Sequence, residues 1–406
     1  MEHEVNMTAI VAICVVIALY SLVSARLQRW QITPPMAFVG MGFVLATVPI
    51  SLLHLRISSA GIATIAELTL AVVLFADAAG VKVMELRQDL FVPGRLLLVG
   101  LPITMALGTV AAHLLFPGLS WWVCGVIGTA VAPTDAALGA AIIEDERVPA
   151  RVRRILNVES GLNDGIATPF VNFFVAAAVA GSALATGSKG DALVAIVGGV
   201  LGGALIGVAG GWMIEKARAA QWAGSHHRGI GVAALAVVSY AGVVEAGYNG
   251  FVAAFVAGLA FGAVTRAEDD DLLKFTHQTA SLMSMVVWFL FGAVMVPLLA
   301  NASWRDWAFA VLALTIIRMA PVALSLVGAG LDRATVGVIG WFGPRGLASV
   351  VFALLAAEAL APQASERVVP IITATVVLSV MLHGVSAGPL GARYGASHPA
   401  EPPLSV

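Results

Sequence analysis

Ala132-Pro133-Thr134-Asp135 cuts through an apolar run spanning 119–143, and Gly340-Trp341-Phe342-Gly343-Pro344-Arg345-Gly346 cuts through another spanning 335–358. A proline inside a helix removes a backbone donor and clashes with the preceding turn, while glycine tolerates the unwinding that follows. Each run therefore reads as a helix broken in its middle. Backbone groups freed at such a break, if they lie inside a bilayer, must be met by protein, water or an ion.

The rest of the chain calls for a bilayer. Of 406 residues, 59% are hydrophobic and 11% charged, with a mean hydropathy of +0.94, whereas soluble domains carry roughly 25% charge. The 42 glycines suit helices that approach closely in lipid. The alternating pattern of a membrane β-barrel is missing from the sequence. A net charge of −2 offers no basic face for nucleic acid. Cys14 and Cys124 lie in apolar runs, so neither a disulfide framework nor a metal cluster is indicated. The acidic start Met1-Glu2-His3-Glu4 lacks the basic segment of a secretory signal, and the run from Met7 to Val23 reads as a retained first helix.

Spanning segments of about 20 apolar residues fall at 6–24, 35–54, 60–80, 92–116, 119–143, 152–179, 191–214, 229–246, 248–264, 272–299, 305–328, 335–358 and 366–387. The reading is an all-α polytopic membrane protein of about thirteen helices, one transmembrane domain over 1–396 with a disordered tail at 397–406. Cytoplasmic loops are enriched in Lys and Arg. With the N-terminus outside, sixteen of the 22 basic residues fall in loops assigned inside, and only Arg56, Lys189, Arg305 and Arg367 in loops assigned outside. The predicted orientation is N-terminus out and C-terminus cytoplasmic. Thirteen helices divide into one N-terminal helix plus two sets of six, and inverted repeats of this kind place a site where interrupted helices meet. Under that division the two broken runs, fifth and twelfth, correspond.

Ionisable groups at mid-bilayer are functional candidates by default. The sixth helix carries Asn157-Val158-Glu159-Ser160-Gly161-Leu162-Asn163-Asp164-Gly165, whose Glu159 and Asn163, and Ser160 and Asp164, are four apart and share one side. Asp164 lies near the midplane. A carboxylate there is tolerated by binding a proton or a cation, and that competition is the chemistry of an exchanger; a structural polar knot between helices is the alternative. Thr134 and Asp135 sit at the fifth helix's break, as ion ligands or as an N-cap for its second half. Arg345, in the twelfth helix, needs an acidic partner, and Glu159 is assigned to it, leaving Asp164 free. Glu67 and, behind it, Asp77 near the cytoplasmic end of the same helix are the candidates for an access path. Arg318 and Glu245 read as an interior pair or as groups snorkelling from helix ends. His226-His227 and the run Glu268-Asp269-Asp270-Asp271 read as solvated.

With these residues in hand, the chain resembles the monovalent cation/proton antiporters, specifically the NhaP-like relatives of animal sodium/proton exchangers. The resemblance covers nearly the whole chain. It is carried by the stretch from Val158 to Gly165, the Thr134-Asp135 pair, Gly343-Pro344-Arg345-Gly346, and the weaker segments Tyr248–Phe255 and His383-Gly384-Val385-Ser386-Ala387. It implies a homodimer of inverted repeats with crossed discontinuous helices 5 and 12. It also implies core helices near 92–179 and 305–387 that move against a dimerisation scaffold in an elevator-like cycle. The cation, Na⁺ or Li⁺ with K⁺ as the alternative, would sit among Asp164, Ser160, Asp135, Thr134 and Glu159, with Asn163 orienting Glu159 against Arg345. Asn163-Asp164, in place of two aspartates, implies electroneutral exchange of one Na⁺ for one H⁺ across the inner membrane. Pro133 here precedes the Thr-Asp pair where many relatives have a proline after it, which predicts that the break begins a residue or two earlier.

Rival classes fit less well. A cation channel would want an acidic ring along a continuous pore. An intramembrane enzyme would want a histidine at the depth of Ser160 or Ser281. No catalytic residue and no cofactor are therefore expected.

Overall fold

A computed structural model describes residues 7–47, 60–81, 91–136, 138–143, 145–181, 188–265 and 270–398. Arg56, Lys82, Arg87, Arg266, the first half of the acidic run and the tail from 399 onward lie outside the described residues. Every regular element among the described residues is a helix: α1 (Met7–Arg29), α2 (Pro34–Thr47), α3 (Ala60–Ala79), α4 (Phe91–Leu115), α5 in two pieces (Trp121–Ala130 and Ala140–Ile143), α6 (Ala150–Ala180), α7 (Ser188–Ala219), α8 (Ser225–Glu245), α9 (Gly250–Thr265), α10 (Asp270–Leu290), α11 in two pieces (Trp304–Leu314 and Ile316–Ser325), α12 in two pieces (Arg333–Trp341 and Leu347–Ala359) and α13 (Pro362–Ser397). Among the described residues, nine helices are long and apolar enough to cross a membrane, and Pro34–Thr47, Trp121–Ala130, Gly250–Thr265 and Leu347–Ala359 are shorter apolar helices.

Local chemistry sets many of the boundaries. Ser120 caps α5, its hydroxyl accepting from Val123 N–H at 3.3 Å. Asp332 caps α12, accepting from Ala334 N–H at 3.0 Å, and Ser303 with Asp306 forms a capping box at α11. Two wide π-type turns, Leu96–Gly100 and Phe291–Met295, lie just ahead of Pro102 and Pro297. Each proline withholds the N–H that the ladder needs, and the preceding turn widens to take up the freed carbonyl. The run read as one helix over 305–328 is interrupted at Thr315, whose φ/ψ of −110°/−95° is not helical. That break sets Arg318 in the first turn of a new helical piece.

Small residues bring backbones together, as lipid requires. α9 lies on α3 at Gly258 and Gly262, where an added Cβ would meet Phe75 O and Ala79 O at 2.4 Å each. α2 meets the wide turn after α10 the same way, Gly42 against Phe289 O and Gly292 against Val39 O, both at 2.1 Å. α13 runs to Ser397, further than the predicted 366–387, and packs against α11 and the second half of α12.

Candidate functional site

The first piece of α5 ends at Ala130 and the second piece of α12 begins at Leu347; between them the unwound segments 131–139 and 342–346 cross. Asp135 N–H donates to Pro344 O at 2.8 Å. The Asp135 carboxylate accepts from Leu347 N–H at 2.8 Å and from Leu138 N–H at 3.3 Å. It therefore caps the second half of α12 as well as the turn after its own break. An anion at a helix N-terminus and a cation at a C-terminus are the favourable placements. Arg345 supplies the second: its guanidinium donates to Ala132 O, to Pro133 O at 3.2 Å and to Ala313 O at 3.3 Å, satisfying carbonyls at the end of the first α5 piece. Gly346 is fixed by the crossing, since a Cβ there would sit 1.9 Å from Asp135 Oδ2.

Arg345 was expected to pair with Glu159, and it does not. Arg318 takes that place, donating through two nitrogens to the two Glu159 oxygens at 2.5 and 2.9 Å. Both arginines are buried; the difference is that Arg345 is spent on backbone carbonyls of the crossing, whereas Arg318 approaches α6 from α11. Glu245, the other proposed partner for Arg318, is exposed at the end of α8. With both oxygens held, Glu159 does not line the cavity described next. Asn163 is likewise corrected: its amide donates to Thr134 Oγ1 at 2.5 Å, with no bond to Glu159. Thr134 Oγ1 lies 3.1 Å from Ser160 Oγ, so Asn163, Thr134 and Ser160 form one chain of hydrogen bonds tying α6 to the α5 break.

A cavity of about 220 Å³ opens beside this chain, lined by Asp77, Asp135, Ser160, Asp164 and His277 together with apolar groups such as Trp288. Asp164 is 9% exposed, and its Oδ1, like Asn163 Oδ1, is buried without a hydrogen-bond partner. An unpartnered buried carboxylate oxygen is costly, and two things relieve it: a proton or a hard cation. The carboxylates and the Ser160 hydroxyl are oxygen donors of the kind an alkali cation accepts. Among the described residues, no group of three or more His, Cys, Asp and Glu is arranged to hold a metal ion.

Asp77 is the residue that sequence reasoning undervalued. It lines the cavity from α3, facing α6 at Gly161, where an added Cβ would lie at an ordinary contact distance of 3.6 Å from Asp77 Cβ. Glu67, nearly three turns away on α3, is not brought into the cavity; the Tyr240 hydroxyl donates to it at 2.9 Å.

The family model described as "Sodium/hydrogen exchanger, transmembrane" matches residues 11–393. Among curated relatives, a Na⁺/H⁺ antiporter of Schizosaccharomyces pombe is 25% identical over 313 residues, 68% of this chain and 65% of that protein, just under two thirds of its length. The Na⁺/H⁺ antiporter NhaP of Pseudomonas aeruginosa is 26% identical over 361 residues, covering 82% of this chain and 81% of its own. The sodium proton antiporter MjNhaP1 from Methanocaldococcus jannaschii, solved at pH 8, superposes with a TM-score of 0.76 at 20% identity, covering 96% of this chain and 99% of that one. That likeness concerns the fold, and it agrees with the all-helical architecture. With a family match across nearly the entire chain, this protein belongs to the transmembrane sodium/hydrogen exchanger family.

Proposed function

We propose that the protein is a secondary antiporter that exchanges Na⁺ or Li⁺ for H⁺ across the inner membrane, one for one, through competition at Asp164. The observation that carries the reading is Asp164 Oδ1, buried without a partner in a cavity shared with Ser160, Asp135 and Asp77. When Asp164 holds a proton or a cation its charge is balanced and the site can cross the barrier; an empty anion is held back by desolvation. Coupling follows from that exclusion. A ratio of one to one is supported by the single carboxylate of Asn163-Asp164 and by Glu159 being neutralised by Arg318. The cation is bound by Asp164 and Ser160, with Asp135, Asp77 and Thr134 around them, while Glu159, Asn163 and Arg345 act on geometry.

In this reading the helices near 92–179 and 305–387 form a core that moves against a scaffold of the others, as an elevator, in a homodimer embedded in lipid. The N-terminus is outside and the C-terminus cytoplasmic, supported by the Lys and Arg bias of the loops.

Reconstitution into proteoliposomes tests it. An imposed pH gradient should dissipate on addition of Na⁺ or Li⁺, at a rate unchanged when the membrane potential is clamped. Wild-type-like exchange by Asp164→Asn would overturn the proposal. Response to K⁺ alone would reassign the cation, and a cation flux without stoichiometric proton movement would mean a channel.

A further inference from the structure

The last helix carries a polar stripe that the exchange reading leaves unused: Ser379, His383 and Ser386, spaced i, i+4 and i+7 on one face. Ser379 and His383 are fully buried. All three touch the break in α12. Arg345 N–H donates to Ser379 Oγ at 2.6 Å. His383 Nδ1 lies 3.2 Å from the same Ser379 Oγ, and Nε2 lies 2.9 Å from Trp341 O. The Trp341 indole N–H donates to Ser386 Oγ at 3.0 Å.

The proton positions follow. Trp341 O can only accept, so His383 Nε2 carries a hydrogen towards it, and in a neutral ring Nδ1 is then the acceptor and takes the Ser379 hydroxyl hydrogen while Ser379 Oγ accepts from Arg345. Ser379 O, 3.0 Å from Nδ1, is an interior carbonyl of α13 and belongs to that helix's ladder. One histidine thus ties both lips of the break, the last carbonyl of the first α12 piece and the N–H of Arg345, to a continuous helix. Without water at this depth, such groups need a protein partner.

We infer that Ser379, His383 and Ser386 form a clasp that sets the α12 break, and that His383 is a positioning residue for the cation site. The line of action is short. The clasped segment Trp341–Leu347 holds Arg345 against Ala132 O and Pro133 O, and presents Leu347 N–H to Asp135 Oδ2. Asp135 lines the cavity with Asp164. Gly343 N–H also donates to Trp341 O, at 2.8 Å, so loss of the imidazole loosens the break without leaving that carbonyl bare. The effect belongs in cation binding more than in folding.

The inference rests on the exchange reading for its functional half, and the test separates the two. In full-length protein, hydrogen exchange of the amides from Phe342 to Leu347 is compared among wild type, His383→Leu, His383→Gln and Ser379→Ala, and Na⁺-driven proton movement is measured in proteoliposomes. His383→Leu is expected to raise the apparent KM for Na⁺ roughly tenfold with Vmax within about twofold of wild type, the loss of one buried hydrogen bond carried into binding. It should also speed amide exchange across the break. His383→Gln, which can both donate and accept, should restore both. Should His383→Leu fail to fold, Ser379→Ala is expected to give the same KM rise and amide exposure. Unchanged amide exchange and KM in His383→Leu or in Ser379→Ala, or a His383→Gln as impaired as His383→Leu, would overturn the clasp. A wild-type protein that moves no protons with Na⁺ overturns the exchange reading, while the amide measurement still judges the clasp.

Discussion

Arg318 and Glu159, 159 residues apart in sequence, are joined by a two-point ion pair at 2.5 and 2.9 Å in which each side chain is 3% exposed. Removing one member strands the other charge in a buried setting. Arg318→Leu is expected to cost about 3–5 kcal/mol, read as a fall in thermal unfolding temperature of the purified protein. Arg318→Lys keeps the charge and loses the fork, so an intermediate loss is expected. The double variant Arg318→Leu with Glu159→Leu should be less damaged than Arg318→Leu alone, because no unpaired charge remains.

Asp77 shares the cavity with Asp164 without belonging to the same helix. A unit charge several Å from a bound cation contributes of order 1–3 kcal/mol at an effective dielectric near 20. Asp77→Asn should therefore weaken apparent Na⁺ affinity by roughly tenfold or more while exchange persists at high Na⁺. Asp164→Asn should abolish exchange at any Na⁺ concentration. Identical behaviour of the two variants would contradict the division of roles.

Gly346 is where the two broken helices touch. Ala at this position would drive its Cβ into the Asp135 carboxylate, displacing the cap on Leu347. A loss of about 1–3 kcal/mol of stability is expected, as for other overpacked sites, together with impaired exchange. Gly337, in the first piece of α12, has open space around a new Cβ. Gly337→Ala should be neutral or slightly stabilising, which makes it the control for substitution in the same helix.

At the turn before α6, Arg147 donates to Asp145 through its side chain, with contacts of 2.7 to 3.2 Å. This hydrogen bonding, followed by the Arg147 backbone N–H and the nearby charges of Arg147 and Arg153, holds the Asp145 carboxyl below its ordinary value. A lowered folded-state value means the ionised form is favoured by folding. The contribution is complete above the unfolded value of about 4 and is lost as pH falls through the lower folded one. Thermal scans of wild type between pH 7 and pH 3 should show this loss only below about pH 4, and Asp145→Asn should remove that part of the pH dependence.

The sequence by itself determined the all-helical character and two of the breaks. Hydropathy and length are local quantities, and Pro133, Pro344 and the glycines around Pro344 act on their own turns, so the all-helical architecture and the interrupted fifth and twelfth runs were legible. The one-sided placement of Ser160 and Asp164 was legible too, because helical spacing is fixed. What lay beyond reach was lateral: which buried arginine faces α6, and which acid on α3 meets the cavity. Arg318 and Arg345 are both intramembrane cations of similar reading along the chain, and depth alone cannot separate them. Only the kink at Thr315 and the crossing of the two breaks, which consumes Arg345 on the carbonyls of residues 132 and 133, decide that Glu159 belongs to Arg318. Likewise Glu67 and Asp77 share one helix, and it is how α3 packs on its neighbours that brings Asp77 to the cavity and leaves Glu67 with the Tyr240 hydroxyl. Partners across a bundle depend on the rotation and approach of neighbouring helices, which close small-residue contacts between segments distant in sequence impose and no single segment encodes.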